Sequence, residues 1–255
     1  MKKYLLSLVL SSISVFCLAQ NSSRPAPKDL HTPFQFGVYA GVNTGAPIPK
    51  TVTEGSKGDL GTNFRGGFMT KYKFSKKFGL LVECGYAHKT ATFSSPVKDQ
   101  YIEQTFQIPD GVGGFITGRV ETTFSGNTKG SFDLHYLESA LLAEYNVSRN
   151  LSVAVGAFGA DLVRGKNAGI ATEVQIGTVP GYFDDQPFDN SAELNRFDYG
   201  LVGGLGYKLV DNLQLNMRLA WGSPSIYIPT FTRVPEPLPT RYLQVGMDYR
   251  IGERL

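Results

Sequence analysis

A serine hydroxyl becomes a nucleophile when a histidine base stands beside it and an acid orients that base, so side chains of those three types could hydrolyse an ester or an amide. The supply is thin. Among 255 residues there are 3 histidines. His31 sits in a proline-rich stretch, whereas His88 and His135 each fall in a run with strand-like alternation. Asp133, His135 and Ser139 share one parity, so on a strand they face the same way. Ser139 then lies about 13 Å along that strand from His135, beyond the roughly 3 Å that a nucleophile and its base need. His88, His135 and Ser139 are therefore only weak candidates, and no catalytic site is expected. Asp184, Asp185, Asp189 and Glu193 crowd one segment, but their spacing matches no calcium loop, and they read as a solvated acidic loop. No metal and no cofactor are expected.

The elements that carry these residues repeat with period two. In residues 213–222, Leu213, Leu215, Met217, Leu219 and Trp221 fall on one face, and Gln214, Asn216, Arg218, Ala220 and Gly222 on the other. The same alternation runs through 196–209 and 242–251, and upstream through 34–43, 63–74, 78–90, 132–147 and 151–162. That makes about eight strands, each near or above the roughly 9–11 residues that cross a bilayer obliquely. Three connections are tight and share a pattern: YKFSKKFGL from Tyr72, YNVSRNLSV from Tyr145 and YKLVDNLQL from Tyr207. The others, 44–61, 92–131, 163–194 and 223–239, are long. Short turns at one end and long loops at the other mark an antiparallel up-and-down transmembrane β-barrel with periplasmic turns and extracellular loops. Within the second loop, 101–108 and 114–124 are strand-like around PDGVG and are expected to form a hairpin above the membrane; if they cross it, the count is ten. Pro224, Pro229, Pro235, Pro237 and Pro239 stiffen the last loop, which suits a recognition surface.

Aromatics on the apolar face gather at both strand ends, as in the interfacial girdles of membrane barrels. Tyr72, Phe74, Phe78, Tyr145, Tyr207 and Tyr249 fall at the turn end, and Phe64, Tyr86, Phe197, Tyr199 and Trp221 at the loop end. The opposite parity sends Arg65, Lys71, Lys73, Glu83, Lys89, Glu138, Glu144, Arg196, Asp198, Lys208, Arg218, Asp248 and Arg250 into the lumen. An eight-stranded barrel is only wide enough to be filled by side chains, so these charges are expected to pair with each other and with Gln35, Gln214, Asn216 and Gln244. General diffusion through such a barrel is not expected.

Composition agrees. The net charge is only +3, with 18% charged residues and no basic block, which leaves no footprint for nucleic acid. Mean hydropathy is −0.13, as alternation would average. Lys2 and Lys3, an apolar stretch over 5–18 and Cys17-Leu18-Ala19 read as an export signal cleaved after Ala19. Beyond it are expected a proline-rich periplasmic lead-in at 20–33, the barrel at 34–251 and a short tail at 252–255. Cys84 is then the single cysteine of the mature chain.

GVYAGVNTG at 37–45, YLESALLAEY at 136–145 and VGMDYRI at 245–251 resemble the first, central and closing strands of the PorT-like, porin-family outer-membrane β-barrel proteins of Bacteroidetes, barrels of the OmpX/OmpA type. Ser139-Ala140 departs from the usual apolar-proline pair, and Ile251 stands where a terminal aromatic is expected. The resemblance implies a monomer in the outer membrane, surrounded by lipid and lipopolysaccharide. Its expected role is non-enzymatic, in envelope structure or in contact with an extracellular ligand or protein through the loops. The alternatives are a lipid A-modifying enzyme and an accessory of a secretion system or narrow channel.

Overall fold

The computed structural model describes residues 34–47, 57–109, 114–177, 184–231, 234 and 237–251. The expected signal, lead-in and tail lie outside the described residues. Nine strands follow in order: β1 (Phe34–Pro47), β2 (Lys57–Lys73), β3 (Phe78–Pro109), β4 (Phe115–Asn146), β5 (Leu151–Ile176), β6 (Gln186–Asp189), β7 (Phe197–Val210), β8 (Leu213–Ser225) and β9 (Pro239–Ile251). Alternation is what makes them strands. In β1, Gln35, Gly37, Tyr39 and Asn43 are buried while Phe34, Phe36, Val38 and Val42 are exposed.

Eight of the nine form a closed ring. Each pairs antiparallel with its neighbours in the order β1-β2-β3-β4-β5-β7-β8-β9, and β9 returns to β1 from Phe36↔Ile251 to Pro47↔Thr240. Closure leaves none of the eight ring strands with a free edge, the arrangement hydrocarbon demands. Strand β6 is a short addition on the far part of β5, Ala168↔Asp189 to Ala171↔Gln186. The ring has eight strands rather than ten because 100–109 and 115–124 continue β3 and β4 as one hairpin, paired from Gln100↔Phe124 to Pro109↔Phe115.

Two expected loops are therefore largely sheet. β3 and β4 are 32 residues each and β5 is 26, against the roughly 11 that cross a bilayer. Alternation reports a strand only while one face meets lipid. Past that length ladder hydrogen bonds carry the strands onward, and Ala171 and Val174 of β5 are still buried there. Bulges punctuate this extension: Asp99 and Glu173 take positive φ values of 50° and 54° where registers shift beside Val97/Gln100 and Ser125/Asn127.

The tight turns follow from the repeat. Ser75 Oγ accepts the backbone N–H groups of Lys77 and Phe78 at 3.2 and 3.0 Å, and Ser148 Oγ accepts those of Asn150 and Leu151 at 3.4 and 3.1 Å. On the outside, Phe68 is 74% exposed and Leu201 69%. An apolar belt on that scale needs a non-aqueous neighbour.

Candidate functional sites on the two faces of the barrel wall

Inward charges from six strands converge into ion pairs. Arg218 Nη1 donates to both Glu83 oxygens at 2.6 and 2.7 Å, and its Nη2 is 3.7 Å from Asp248. Arg65 Nη2 bridges Glu83 and Glu138 at 3.3 and 3.6 Å. Lys89 Nζ lies 3.2 Å from Glu138 and 3.6 Å from Asp198, above the rings of Tyr136 and Tyr242 at 4.7 and 4.8 Å. Its ammonium makes no well-directed hydrogen bond to either acid; ring faces and two carboxylates together offset its desolvation. Lys71 pairs with Glu144, and Arg250 donates to Gln214.

Small residues make the room these groups need. A Cβ on Gly206 would lie 2.1 Å from Gln214 Nε2, and one on Gly85 would lie 2.5 Å from the Tyr39 hydroxyl. Packed apolar side chains fill the gaps between the charges, with Met69, Leu81, Leu142, Phe158 and Val202 buried among them. The cavity beside Tyr39, Arg65, Arg218 and Asp248 is about 10 Å³, room for about one water molecule.

Arg196 corrects the expected lumen set. It precedes the first residue of β7 and turns outward, where its guanidinium holds Asp161 at 2.8 and 3.1 Å and its side chain is 67% exposed. Alternation does not bind a residue outside the strand, and Asp161 on the outer face of β5 draws the charge. Lys208 keeps the inward parity but reaches the rim and contacts Asp211 at 2.6 Å in the β7–β8 turn. Lys73 is half-buried at the same end.

A second apolar cluster closes the mouth at the loop end. Phe132, Leu134 and Tyr136 from β4 pack with Leu194, Ile226 and Tyr227, and Phe231, Val234 and Leu238 join them. The proline-rich last connection thus folds in over the lumen. Asn195 N–H donates to Ile226 O at 2.7 Å, Ile228 N–H to Glu193 O at 2.9 Å, and the Tyr227 hydroxyl to buried Asn167 Oδ1 at 2.8 Å. The acidic segment has local work: Ser191 holds the Asp189 carboxyl below its usual range, through its hydroxyl and through its backbone N–H, which donates to Asp189 Oδ1 at 2.9 Å.

Outward aromatics lie at both ends of the wall. At the turn end Phe34, Tyr72 and Phe74 stack in sequence at 4.7 and 4.8 Å, Phe78 meets Tyr145 at 4.9 Å, and Tyr207 and Tyr249 are exposed. At the loop end Phe64, Tyr86, Phe197, Tyr199 and Trp221 are exposed, with the Arg241 guanidinium 4.1 Å above Trp221.

Just beyond the loop-end ring, register joins residues from two strands. His88 of β3 lies opposite His135 of β4, Tyr86 opposite Leu137, and Thr90 opposite Asp133. The two diagonals of one sense are the close ones, as strand twist favours. Asp133 Oδ1 is 2.7 Å from His88 Nε2 and 3.3 Å from His135 Nε2, and the Tyr86 hydroxyl hydrogen-bonds His135 Nδ1. The imidazoles stack with centroids 4.5 Å apart and 9° between planes. Ser139 is elsewhere, facing Cys84 with Oγ 3.6 Å from Sγ, so the serine that shares the parity of Asp133 and His135 does not join them. Sequence reading placed Asp133 and His135 on one face but missed Tyr86 as their partner, because only the β3–β4 register reveals that diagonal.

Ail of Yersinia pestis superimposes with TM-score 0.39 at 9% identity, covering 86% of this chain and 100% of that one. Neisserial surface protein A gives 0.40 at 10% identity, covering 85% and 97%, and OprG of Pseudomonas aeruginosa 0.37 at 15%, covering 87% and 97%. No curated protein sequence matches. Residues 18–223 match the outer membrane protein beta-barrel domain, and with a closed eight-stranded ring and an apolar outer face the chain belongs to that outer-membrane β-barrel family.

Proposed function

We propose that this outer-membrane barrel works by its exterior: a monomeric, non-enzymatic envelope protein whose projecting β3–β4–β5 wall meets an extracellular ligand or protein. Its termini and short turns stand in the periplasm after removal of the export signal, and its belt sits in outer-membrane lipid and lipopolysaccharide. The strand motifs support a place near the PorT-like group. The observation that carries the reading is the lumen packed with ion pairs and apolar side chains beneath a capped mouth. A sealed interior moves function to the surface. There β3, β4 and β5 extend by roughly 15 to 20 residues past what a crossing needs.

Replacing 93–130 with a two-residue turn tests this. The shortened chain is expected to insert and keep its heat-dependent gel shift, while cells lose surface attachment or become sensitive to detergent. Unchanged attachment and envelope resistance in cells carrying the trimmed barrel would refute the role. Overexpression is expected to leave lipid A mass unchanged; a new lipid A species lost in His135→Ala would make the protein an enzyme instead.

A further inference from the structure

The stacked histidines have an arrangement that an ordinary cross-strand ion pair does not require. One carboxylate oxygen serves both rings, and both Nε2 atoms point to the same side of the wall. All three donor atoms lie within 4.8 Å of one another. A tetrahedral zinc ion with bonds of about 2.0–2.1 Å places its donors roughly 3.3 Å apart, which is the His135–Asp133 separation; His88, hydrogen-bonded to Asp133 at 2.7 Å and stacked on His135, must swing its ring off the stack to aim its Nε2 lone pair at the ion. We infer that His88, His135 and Asp133 form a three-ligand site for a divalent transition-metal ion of the zinc class, on the outer face of the barrel, with a fourth position open to the aqueous edge of the membrane.

Donor type selects the metal. Two imidazole nitrogens and one carboxylate suit zinc, copper or nickel and give calcium and magnesium too few oxygens. Access is available, since the side chains of His88, Asp133 and His135 are 30%, 43% and 22% exposed. Tyr86 supplies the outer support that metal-bound imidazoles usually have. Metal on Nε2 takes the place of the N–H that each ring directs at Asp133; the ring proton then sits on Nδ1, where that of His135 is donated to the Tyr86 oxygen. The neighbouring strands both depart from regular register at this level, β5 with an extra residue at Val163 and β2 between Leu60 and Arg65. Such bulges locally increase twist. Opposing the ion, β5 presents Arg164 opposite His135 and Lys166 opposite Asp133.

Titration of tag-free barrel in detergent micelles with Zn²⁺, followed by calorimetry, tests the site. One Zn²⁺ is expected per chain, with the heat lost in His88→Ala/His135→Ala and affinity weakened about tenfold or more in Tyr86→Phe. Arg164→Gln is expected to tighten binding by removing a like charge. Excess Ca²⁺ should not compete. Each variant is checked by its heat-dependent gel shift, so lost binding with the shift intact reports the site rather than the fold. No saturable binding by the parent barrel, unchanged binding in the double-histidine variant, or displacement by Ca²⁺ would overturn the inference.

Discussion

The two faces of strands β3 and β4 carry the same kinds of side chain to opposite ends. Inward, Glu83, Lys89 and Glu138 are almost fully enclosed and each meets charges from other strands. Outward, His88, Asp133 and His135 interact across one strand pair and keep part of their surface in water. In the low-dielectric interior an ion without its partner is expensive, so the network must be complete and fixed. At the wet rim an incomplete set costs little, which leaves donors available to something else. Burial thus separates charges that hold the barrel together from groups that can bind.

Breaking the inner side should have the largest effect. Glu83→Ala strands Arg218 and Arg65 with less than their full complement of acids and should cost about 3–5 kcal/mol, read as a lowered urea midpoint for the barrel in lipid vesicles. Glu83→Gln combined with Arg218→Met removes both charges and should recover most of that loss; equal destabilisation of single and double variants would mean packing, not charge, sets the cost. At the mouth, Tyr227→Phe leaves the Asn167 oxygen without its buried donor, and about 1–3 kcal/mol should appear as faster hydrogen exchange confined to residues 191–195 and 225–238.

The outer cluster should respond differently. Asp133→Asn is expected to shift the urea midpoint by under about 1 kcal/mol while abolishing the Zn²⁺ heat, a split between binding and stability that no lumen variant should share. The smallest effect belongs to the periplasmic-side rim as proposed, where the Lys208 ammonium holds the Asp211 carboxyl below its usual range. A folded value below the unfolded one stabilises above the unfolded value and is lost as pH falls through the folded one. Asp211→Asn should therefore flatten the acid limb of the unfolding curve slightly, and high salt should erase the difference.

Much of the wall was legible because hydrocarbon enforces strict alternation. Gln35, Glu83, Glu138 and Arg218 read inward and are buried; Phe68 and Leu201 read outward and are exposed. Legibility ends where lipid does. Arg196 fails because it lies a residue outside β7; the hairpin read from 101–108 and 114–124 is present, but its unbroken continuation from the crossing strands was not legible. The cap made by Ile226, Tyr227 and Leu238 was masked by prolines that announce a turn but not which way it folds. The Tyr86–His135–Asp133–His88 chain needed register, which two isolated strands cannot supply.

Ion conductance across a planar bilayer tests the sealed lumen most directly. The purified barrel should insert, as judged by its heat-dependent gel shift after recovery, and pass no steady current in molar salt, with Glu83→Ala at most producing brief flickers. A stable open level in the parent barrel that scales with salt concentration would mean the charged interior conducts, and function would have to be sought in the pore rather than on the outer wall.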